Sequence, residues 1–148
     1  MTRKSPTPVR FETSVARRLE SFASSRPGLS LSGAANLLVD EALRMVEHPG
    51  VVFRDGPTGR RAGLAGGPDV WEVVRAIKSA RAAEPGLNED EVLALLAENT
   101  GVPVRMQRSA LSYWAGFPAE IDSQIDTADD AEVAAEAAWR RERDLFIK

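Results

Sequence analysis

The stretch from Thr7 to His48 most constrains the fold, because it holds one short strand pattern followed at once by two short helix patterns. Val9 and Phe11 fall on one side of an alternating segment and Arg10 falls on the other, which is the period of a β-strand with one apolar face. One strand and two short helices cannot close a core alone. The pattern therefore predicts half of an intertwined dimer.

Two amphipathic helices follow the strand pattern. The large apolar residues of the first recur at helical spacing: Val15, Leu19 and Phe22. Pro27 and Gly28 are expected to end this helix, since proline disfavours helical backbone before it and glycine accepts a positive φ. Ser30 or Ser32 is expected to cap the second helix. That helix carries Leu37, Leu38, Ala42, Met45 and Val46 on its apolar side and stops at His48-Pro49-Gly50.

Residues 5–48 resemble the ribbon-helix-helix superfamily, in the style of the CopG-like and Arc-like repressors. The resemblance lies in Val-Arg-Phe at 9–11, Ser-Val-Ala-Arg-Arg-Leu-Glu at 14–20, and Gly-Leu-Ser-Leu-Ser at 28–32 followed by Leu-Leu-Val-Asp-Glu-Ala-Leu at 37–43. It implies that two chains pair their strands into an antiparallel ribbon, which enters the major groove of double-stranded DNA.

The same resemblance implies which residues contact DNA. Arg10 would read a base, and Ser32 with the first N–H groups of the second helix would hold a phosphate. Arg3 and Lys4 would neutralise further phosphates from an N-terminal arm. Pro6 and Pro8 depart from the family pattern, because each removes a possible ladder donor, which predicts a short ribbon. The alternatives are an ordinary solvated arginine at position 10 and simple helix capping by Ser32.

A second module begins near residue 50 with two short strand patterns, Val51–Arg54 and Arg60–Leu64. The connection between them is expected to exceed a tight two-residue turn. Arg60 and Arg61 lie in this hairpin, where we expect them to touch the phosphate backbone of DNA.

Three helix patterns follow, beginning after Asp69, after Asn88 and at Val104. Asp69 is placed to cap the first, and Asn88 with Glu91 forms a capping-box pattern for the second. A turn containing Gly101 separates the last two helices. This order predicts a trihelical unit similar to a helix-turn-helix.

Residues 50–125 also resemble a family of small bacterial domains of unknown function that combine a short β-ribbon with a homeodomain-like helical unit. The matching stretches are Gly-Pro-Asp-Val-Trp-Glu-Val-Val at 67–74, Ser-Ala-Leu-Ser-Tyr-Trp at 109–114 and Pro-Ala-Glu-Ile-Asp at 118–122. Trp114, where tyrosine is common, and a long insert around 82–85 depart from the pattern. The resemblance implies an antitoxin paired with a PIN-like nuclease.

The helix from Val104 is the expected recognition element if this unit also binds DNA. Arg105, Gln107 and Arg108 lie near its start, where such a helix meets the groove. The alternative is a packing domain without a DNA site, since a fold does not establish a site.

The chain therefore divides into a dimerisation and DNA-binding domain at 1–49, a hairpin and trihelical domain at 50–125, and an acidic and alanine-rich helical tail at 126–148. We expect the tail either to fold onto a toxin protein or to pack back on its own dimer.

Charge is unevenly distributed along the 148 residues. Residues 1–81 hold thirteen Lys or Arg and eight Asp or Glu, residues 82–136 hold two and twelve, and residues 137–148 hold four and two. This pattern favours a basic front for phosphate and an acidic rear for another partner, although single carboxylates are usually only solvated.

Catalysis is not expected, because the chain has one histidine and no cysteine, and its acidic residues form no recognisable metal-ligand set. No cofactor or metal is expected. No apolar run is long enough to span a membrane and the N-terminus has no hydrophobic signal core, so we expect a cytoplasmic protein.

These patterns predict a mainly α (α+β) protein that acts as a homodimeric, sequence-specific repressor, forming higher oligomers on DNA, and as the autoregulating antitoxin of a toxin-antitoxin pair. The alternative is a dimeric adaptor that binds protein without DNA specificity. A third possibility, a nuclease-associated enzyme subunit, would require metal-dependent activity in the purified chain.

Overall fold

The computed structural model describes residues 5–147. In that range the chain forms α1 (Thr13–Ser24), α2 (Leu31–Glu47), β1 (Val51–Gly56), β2 (Gly59–Leu64), α3 (Val70–Ala83), α4 (Glu89–Thr100), α5 (Val104–Gly116) and α6 (Pro118–Asp144). Six helices and one two-stranded antiparallel sheet confirm the expected mainly helical α+β class. The chain divides into two compact units, with the boundary between Arg44 and Met45.

The first unit is built on α1 and α2. α1 ends before Pro27, and Gly28 takes the positive φ of +80° that the turn into α2 requires. Leu19, Ala23 and Ala34 are its buried apolar residues. Four partly buried apolar residues pack against these three: Phe22, Leu29, Ala35 and Leu38.

The expected strand at residues 7–12 does not form within the described chain. Residues 5–12 have neither helix nor strand, although Glu12 has extended backbone with φ −61° and ψ 150°. A strand is defined by hydrogen bonds to a neighbouring strand, and no described segment of the same chain pairs with this one. The backbone of the segment therefore remains available for pairing.

The second unit opens with the expected hairpin, in which Val51 pairs with Leu64 and Gly56 with Gly59. The connection is only Pro57 and Thr58, so the expectation of a longer loop was wrong. Glycine at 59 explains the tight turn, because its φ of +109° is a conformation that other residues rarely adopt.

The three predicted helices α3, α4 and α5 follow, and α3 packs against each of the other two. The apolar side of α3 is buried as expected: Val70, Val73, Val74 and Ile77. Asn88 caps α4 by accepting from the Glu91 N–H at 3.0 Å, while Glu91 accepts from the Asn88 N–H at 2.8 Å. Gly101, at φ +75°, ends α4.

The last helix differs from the expected tail that begins at residue 126. α6 starts at Pro118 and runs without interruption for 27 residues, since proline is favoured in the first turn and no breaker follows. Ile121 and Ile125 enter the core, so the first two turns belong to the second unit. Beyond them, Val133 and Trp139 are 68% and 53% exposed.

Ion pairs join α6 to α3. Arg75 binds Glu132 with two hydrogen bonds of 2.8 and 2.5 Å and lies 2.9 Å from Asp129. The hydrogen bonds to Arg75 lower the pKa of the Glu132 carboxyl, and the hydrogen bond to Glu132 raises the pKa of Arg75. Among the described ion pairs, the one between Arg75 and Glu132 is the furthest along α6 that joins it to α3. The helix continues beyond this pair to Asp144.

The side chain of Asp122 provides a second link. Its Oδ1 accepts from Lys78 Nζ at 2.6 Å and from the Trp114 indole at 2.9 Å. The Lys78 hydrogen bond, followed by that from Trp114, lowers the pKa of Asp122. One carboxylate therefore connects α3, α5 and α6.

Candidate nucleic-acid interface

Exposed apolar side chains are concentrated in α1, α2 and the segment before them. Eight of them are more than 40% exposed: Val9, Phe11, Val15, Leu31, Val39, Leu43, Met45 and Val46. Scattered surface apolar residues are normal, whereas a contiguous apolar patch is typical of an interaction surface.

Arg10 lies in the segment before α1 that forms neither helix nor strand, and it is exposed. Its neighbours in the sequence, Val9 and Phe11, are 64% and 44% exposed. In a single chain, therefore, neither these apolar side chains nor Arg10 is covered. The expected phosphate contacts Arg3 and Lys4 lie outside the described residues.

The start of α2 is capped by Ser30, whose Oγ accepts from the Gly33 N–H at 3.0 Å. The alternative expectation, that Ser32 caps α2, was wrong, because Ser32 already lies within the first turn of that helix. Ser32 is exposed there, and its carbonyl accepts from the Asn36 amide at 2.9 Å. The first N–H groups of α2 therefore have one serine cap, and the Ser32 hydroxyl lies beside them on the surface.

Arg61 is occupied by a buried carboxylate. Its guanidinium pairs with Asp69, whose side chain is 6% exposed, and Arg54 binds the other oxygen of Asp69 at 2.9 Å. Arg54 also donates to the Gly67 carbonyl at 2.9 Å. We call Arg54, Arg61 and Asp69 the hairpin clamp, since it joins the two strands to the start of α3.

The clamp depends on two strand glycines. Arg54 and Arg61 are direct cross-strand partners on the same face of the hairpin, and like charges in that position repel. A Cβ on Gly63 would overlap with the Arg54 guanidinium, and a Cβ on Gly56 would overlap with that of Arg61. Glycine therefore leaves the space through which both side chains reach Asp69.

Arg60 lies on the opposite side of the strand and pairs with Asp55 at 3.5 Å. Both expected phosphate contacts of the hairpin thus have carboxylate partners within the chain. Binding a phosphate through Arg61 would mean competing with a buried aspartate, which weighs against Arg61 as a DNA contact.

The three residues near the start of α5 that were expected to read the DNA groove have different surroundings in the structure. Gln107 is only 1% exposed and donates to the carbonyls of Leu93 and Val102 at 2.9 and 3.0 Å, so its role as a base reader was wrong. Its place in the core follows from the α4–α5 turn, which brings these carbonyls to it. Arg105 remains exposed.

Arg108 binds two carboxylates at the start of α4, Glu89 at 3.0 Å and Asp90 at 2.7 Å. These acidic residues face the position that a phosphate would take beside α5, and they repel DNA there. The geometry favours the packing alternative for this unit over a second DNA site.

Sequence reasoning missed the hairpin clamp and the buried position of Gln107. The alternation of β1 and β2 places Arg54 and Arg61 on one face, where a carboxylate between them would relieve the repulsion of like charges. Nothing in the sequence identifies Asp69 as that carboxylate, since an N-cap aspartate reads as a surface residue.

A metal site and a membrane-spanning helix are both absent from residues 5–147. No group of three or more acidic, histidine or cysteine side chains there is placed to hold a metal ion, and no helix there is long and apolar enough to cross a membrane. His48 packs against the rings of Tyr113 and Phe117, at 5.3 and 5.9 Å between centroids. No protein-family model, curated protein or solved structure matches the chain.

Proposed function

We propose that the protein is a homodimeric, sequence-specific DNA-binding repressor, in which the segments around Arg10 of two chains pair and enter the major groove. The observation that carries the proposal is the set of exposed apolar side chains between residues 9 and 43, together with a segment at residues 5–12 that pairs with no strand of the described chain. A second copy would bury Val9 and Phe11 and pair the backbone between them. The other side of the paired segment would then present Arg10.

Exposed positive charges in the first unit support its proposed role in binding DNA. Arg10, Arg17 and Arg18 are exposed, and the start of α2 offers backbone donors beside Ser32, which suit a phosphate oxygen. The acidic residues at the start of α4 oppose DNA binding by α5. The second unit would therefore serve another purpose than groove reading.

The distal part of α6 is the proposed toxin-binding segment, which would make the protein an autoregulating antitoxin. Trp139 is 53% exposed there, and Leu145 and Phe146, which directly follow the helix, are 80% and 79% exposed. Aromatic residues are enriched at the centres of protein interfaces. The same observation favours the alternative function, a dimeric adaptor that binds protein without reading DNA.

Dimerisation is tested first, by light scattering on the full chain. Val9→Glu should convert a dimer to a monomer, because a buried unpaired carboxylate opposes association. Val133→Glu is the matched control, since Val133 has nearly the same exposure at 68%. A wild-type chain that is monomeric at every concentration would overturn the proposal.

DNA binding is tested by fluorescence anisotropy with the DNA upstream of the gene and with a scrambled sequence, over a salt series. The expected result is selective binding that weakens with salt, as counterion release requires. Arg10→Ala should remove the selectivity, while Arg17→Ala should weaken binding to both sequences alike. Equal affinity for both DNAs at all salt concentrations would favour the adaptor.

A further inference from the structure

The distal part of α6 extends beyond the core of the second unit. The helix has 27 residues, which makes it about 40 Å long, and its described ion pairs with α3 reach only as far as Glu132. Past that point Trp139 is 53% exposed, and Leu145 at the C-cap is 80% exposed. About three turns of helix therefore carry apolar side chains that the described chain does not cover.

One face of this part of the helix consists mainly of alanine. Its apolar members recur at the spacing of a single helix face, and we call them the alanine face: Ala131, Ala134, Ala135, Ala138 and Leu145. All of them are exposed. Trp139 and Phe146 lie along one edge of the face, and Glu142 lies within it. The face thus begins with small side chains and ends with large ones.

The charges on both sides of the alanine face change sign along the helix. On one side Asp130 is followed by Arg141, about three turns further on. On the other side Glu132 is followed at the same distance by Arg143. Asp130 and Arg141 are exposed and have no ion-pair partner among the described residues. Each side of the face is therefore acidic at its beginning and basic at its end.

We propose that the alanine face binds the same face of a second copy in the antiparallel direction and so joins two chains through their second units. In this direction Asp130 of each chain meets Arg141 of the other, because a two-fold axis makes every contact occur twice. A parallel pair would bring Asp130 beside Asp130 and Arg141 beside Arg141, and like charges repel. The charges beside the face therefore select the antiparallel direction, as they do in coiled coils.

The sizes of the side chains fit the same direction. With the two-fold axis near the middle of residues 131–142, Trp139 of each chain lies beside Ala134 and Ala135 of the other. Leu145 lies beside Ala128 of the other chain, at the small end of its face. Large side chains of one helix thus meet small side chains of the other, which lets the two helix axes approach closely.

The pairing is expected to be weak, because alanines bury little apolar area and exposed ion pairs contribute little free energy. We expect a dissociation constant on the order of 0.1 mM, so α6 is unpaired at low micromolar concentration. Binding of a toxin to Trp139 and Leu145 would compete with the pairing. The proposal needs only the second unit and does not rest on the N-terminal dimer, although it would connect such dimers into higher oligomers.

Disulfide cross-linking tests the direction of the pair, because the chain has no cysteine of its own. Positions 131 and 142 lie opposite each other in the antiparallel pair, within reach of a disulfide. A mixture of Ala131→Cys and Glu142→Cys chains in a glutathione buffer should therefore form disulfides between unlike chains in large excess over those between like chains. An excess of disulfides between like chains would indicate a parallel pair. That result, or a statistical mixture, would overturn the proposal.

Val133→Cys mixed with Arg140→Cys is the matched control for cross-linking. These positions have the same register but lie on the opposite side of α6, so unlike chains should show no excess of disulfides. An equal excess in the control would place the contact on another face and overturn the proposal. Both mixtures are repeated with Val9→Glu in every chain, so that failure of the N-terminal dimer and failure of the α6 pair give different results.

Charge reversal tests the ion pairs, with sedimentation equilibrium of the full chain as the measurement. Asp130→Arg and Arg141→Asp should each raise the dissociation constant of self-association about fivefold, since an exposed pair contributes less than about 1 kcal/mol and occurs twice. The double variant should restore the wild-type value. Arg140→Asp makes the same change of charge away from the face and is the control. A double variant that associates no more tightly than the single ones would overturn the proposal.

Two truncations test the face itself. Trp139→Ala should weaken self-association, and Glu142→Ala should strengthen it by removing a charge from the apolar contact. Both residues are exposed, so neither change disturbs the core. Val133→Ala, which removes a 68% exposed side chain from the other side of the helix, should associate as the wild type does. Equal self-association of the Trp139→Ala and Val133→Ala chains would overturn the proposal.

Discussion

Replacing Asp69 with asparagine should destabilise the second unit through the hairpin clamp. Arg54 and Arg61 lie opposite each other across the strands, and the Asp69 carboxylate, 6% exposed, binds both. Removing one partner of a buried ion pair costs about 3–5 kcal/mol. The arginines are 39% and 24% exposed, so solvent screens part of their repulsion. We expect Asp69→Asn to lower the free energy of unfolding by about 2–3 kcal/mol, with asparagine keeping a suitable N-cap residue.

The assay is urea unfolding of the full chain at one fixed protein concentration, since dimerisation would make stability depend on concentration. Asp55→Asn is the control, because Asp55 is 60% exposed in its pair with Arg60 and should cost less than about 1 kcal/mol. Adding Arg61→Gln to Asp69→Asn should recover part of the loss by removing the cross-strand repulsion. The reasoning is refuted if Asp69→Asn costs no more than Asp55→Asn.

Three further predictions concern the helices. Ser30→Ala should cost about 1 kcal/mol in unfolding free energy and Ser32→Ala less than about 0.5 kcal/mol, since only Ser30 caps α2; equal losses in urea unfolding would contradict this. The lowered pKa of Glu132 contributes stability above its unfolded value of about 4.3 that is lost as pH falls through the folded value; Arg75→Gln should therefore destabilise the protein at pH 7 but not at pH 2, and a loss that persists in acid would argue against the pair. Deleting residues 133–148 should leave thermal stability nearly unchanged, because residues 133–147 contribute nothing to the buried core; a clear fall in the melting temperature would show that they pack on it.

The elements of the second unit were predictable because local signals are strong there. Asn88 with Glu91, Gly101 and the apolar spacing of α3 each specify a boundary or a buried face without reference to distant residues. The start of α6 was not, because the helical tail was expected only from residue 126, and the packing that buries Ile121 and Ile125 is set by tertiary contacts with the rest of the second unit.

The contacts of the arginines were not predictable for a different reason. The sequence shows which residues are charged, but the partner of a charge is set by tertiary packing. Arg61 meets Asp69 across a turn, and Arg108 meets the start of α4 across the helix pair. Gln107 became a core residue because the same helix pair encloses it. In the first unit, the strand could not be confirmed from one chain, because its expected hydrogen-bond partner is a second copy.

Gly56 and Gly63 lie against the guanidinium groups of Arg61 and Arg54, so the residues allowed at these positions depend on one another. As long as Arg54 crosses the strand to reach Asp69, no side chain can be accommodated at Gly63, whatever its β-propensity. In a homologue without Asp69, Arg54 would have no carboxylate to reach across the strand. Residues 54 and 63 could then both be replaced. We therefore expect covariation among 54, 63 and 69 in future alignments, with glycine at 63 retained wherever arginine and aspartate persist.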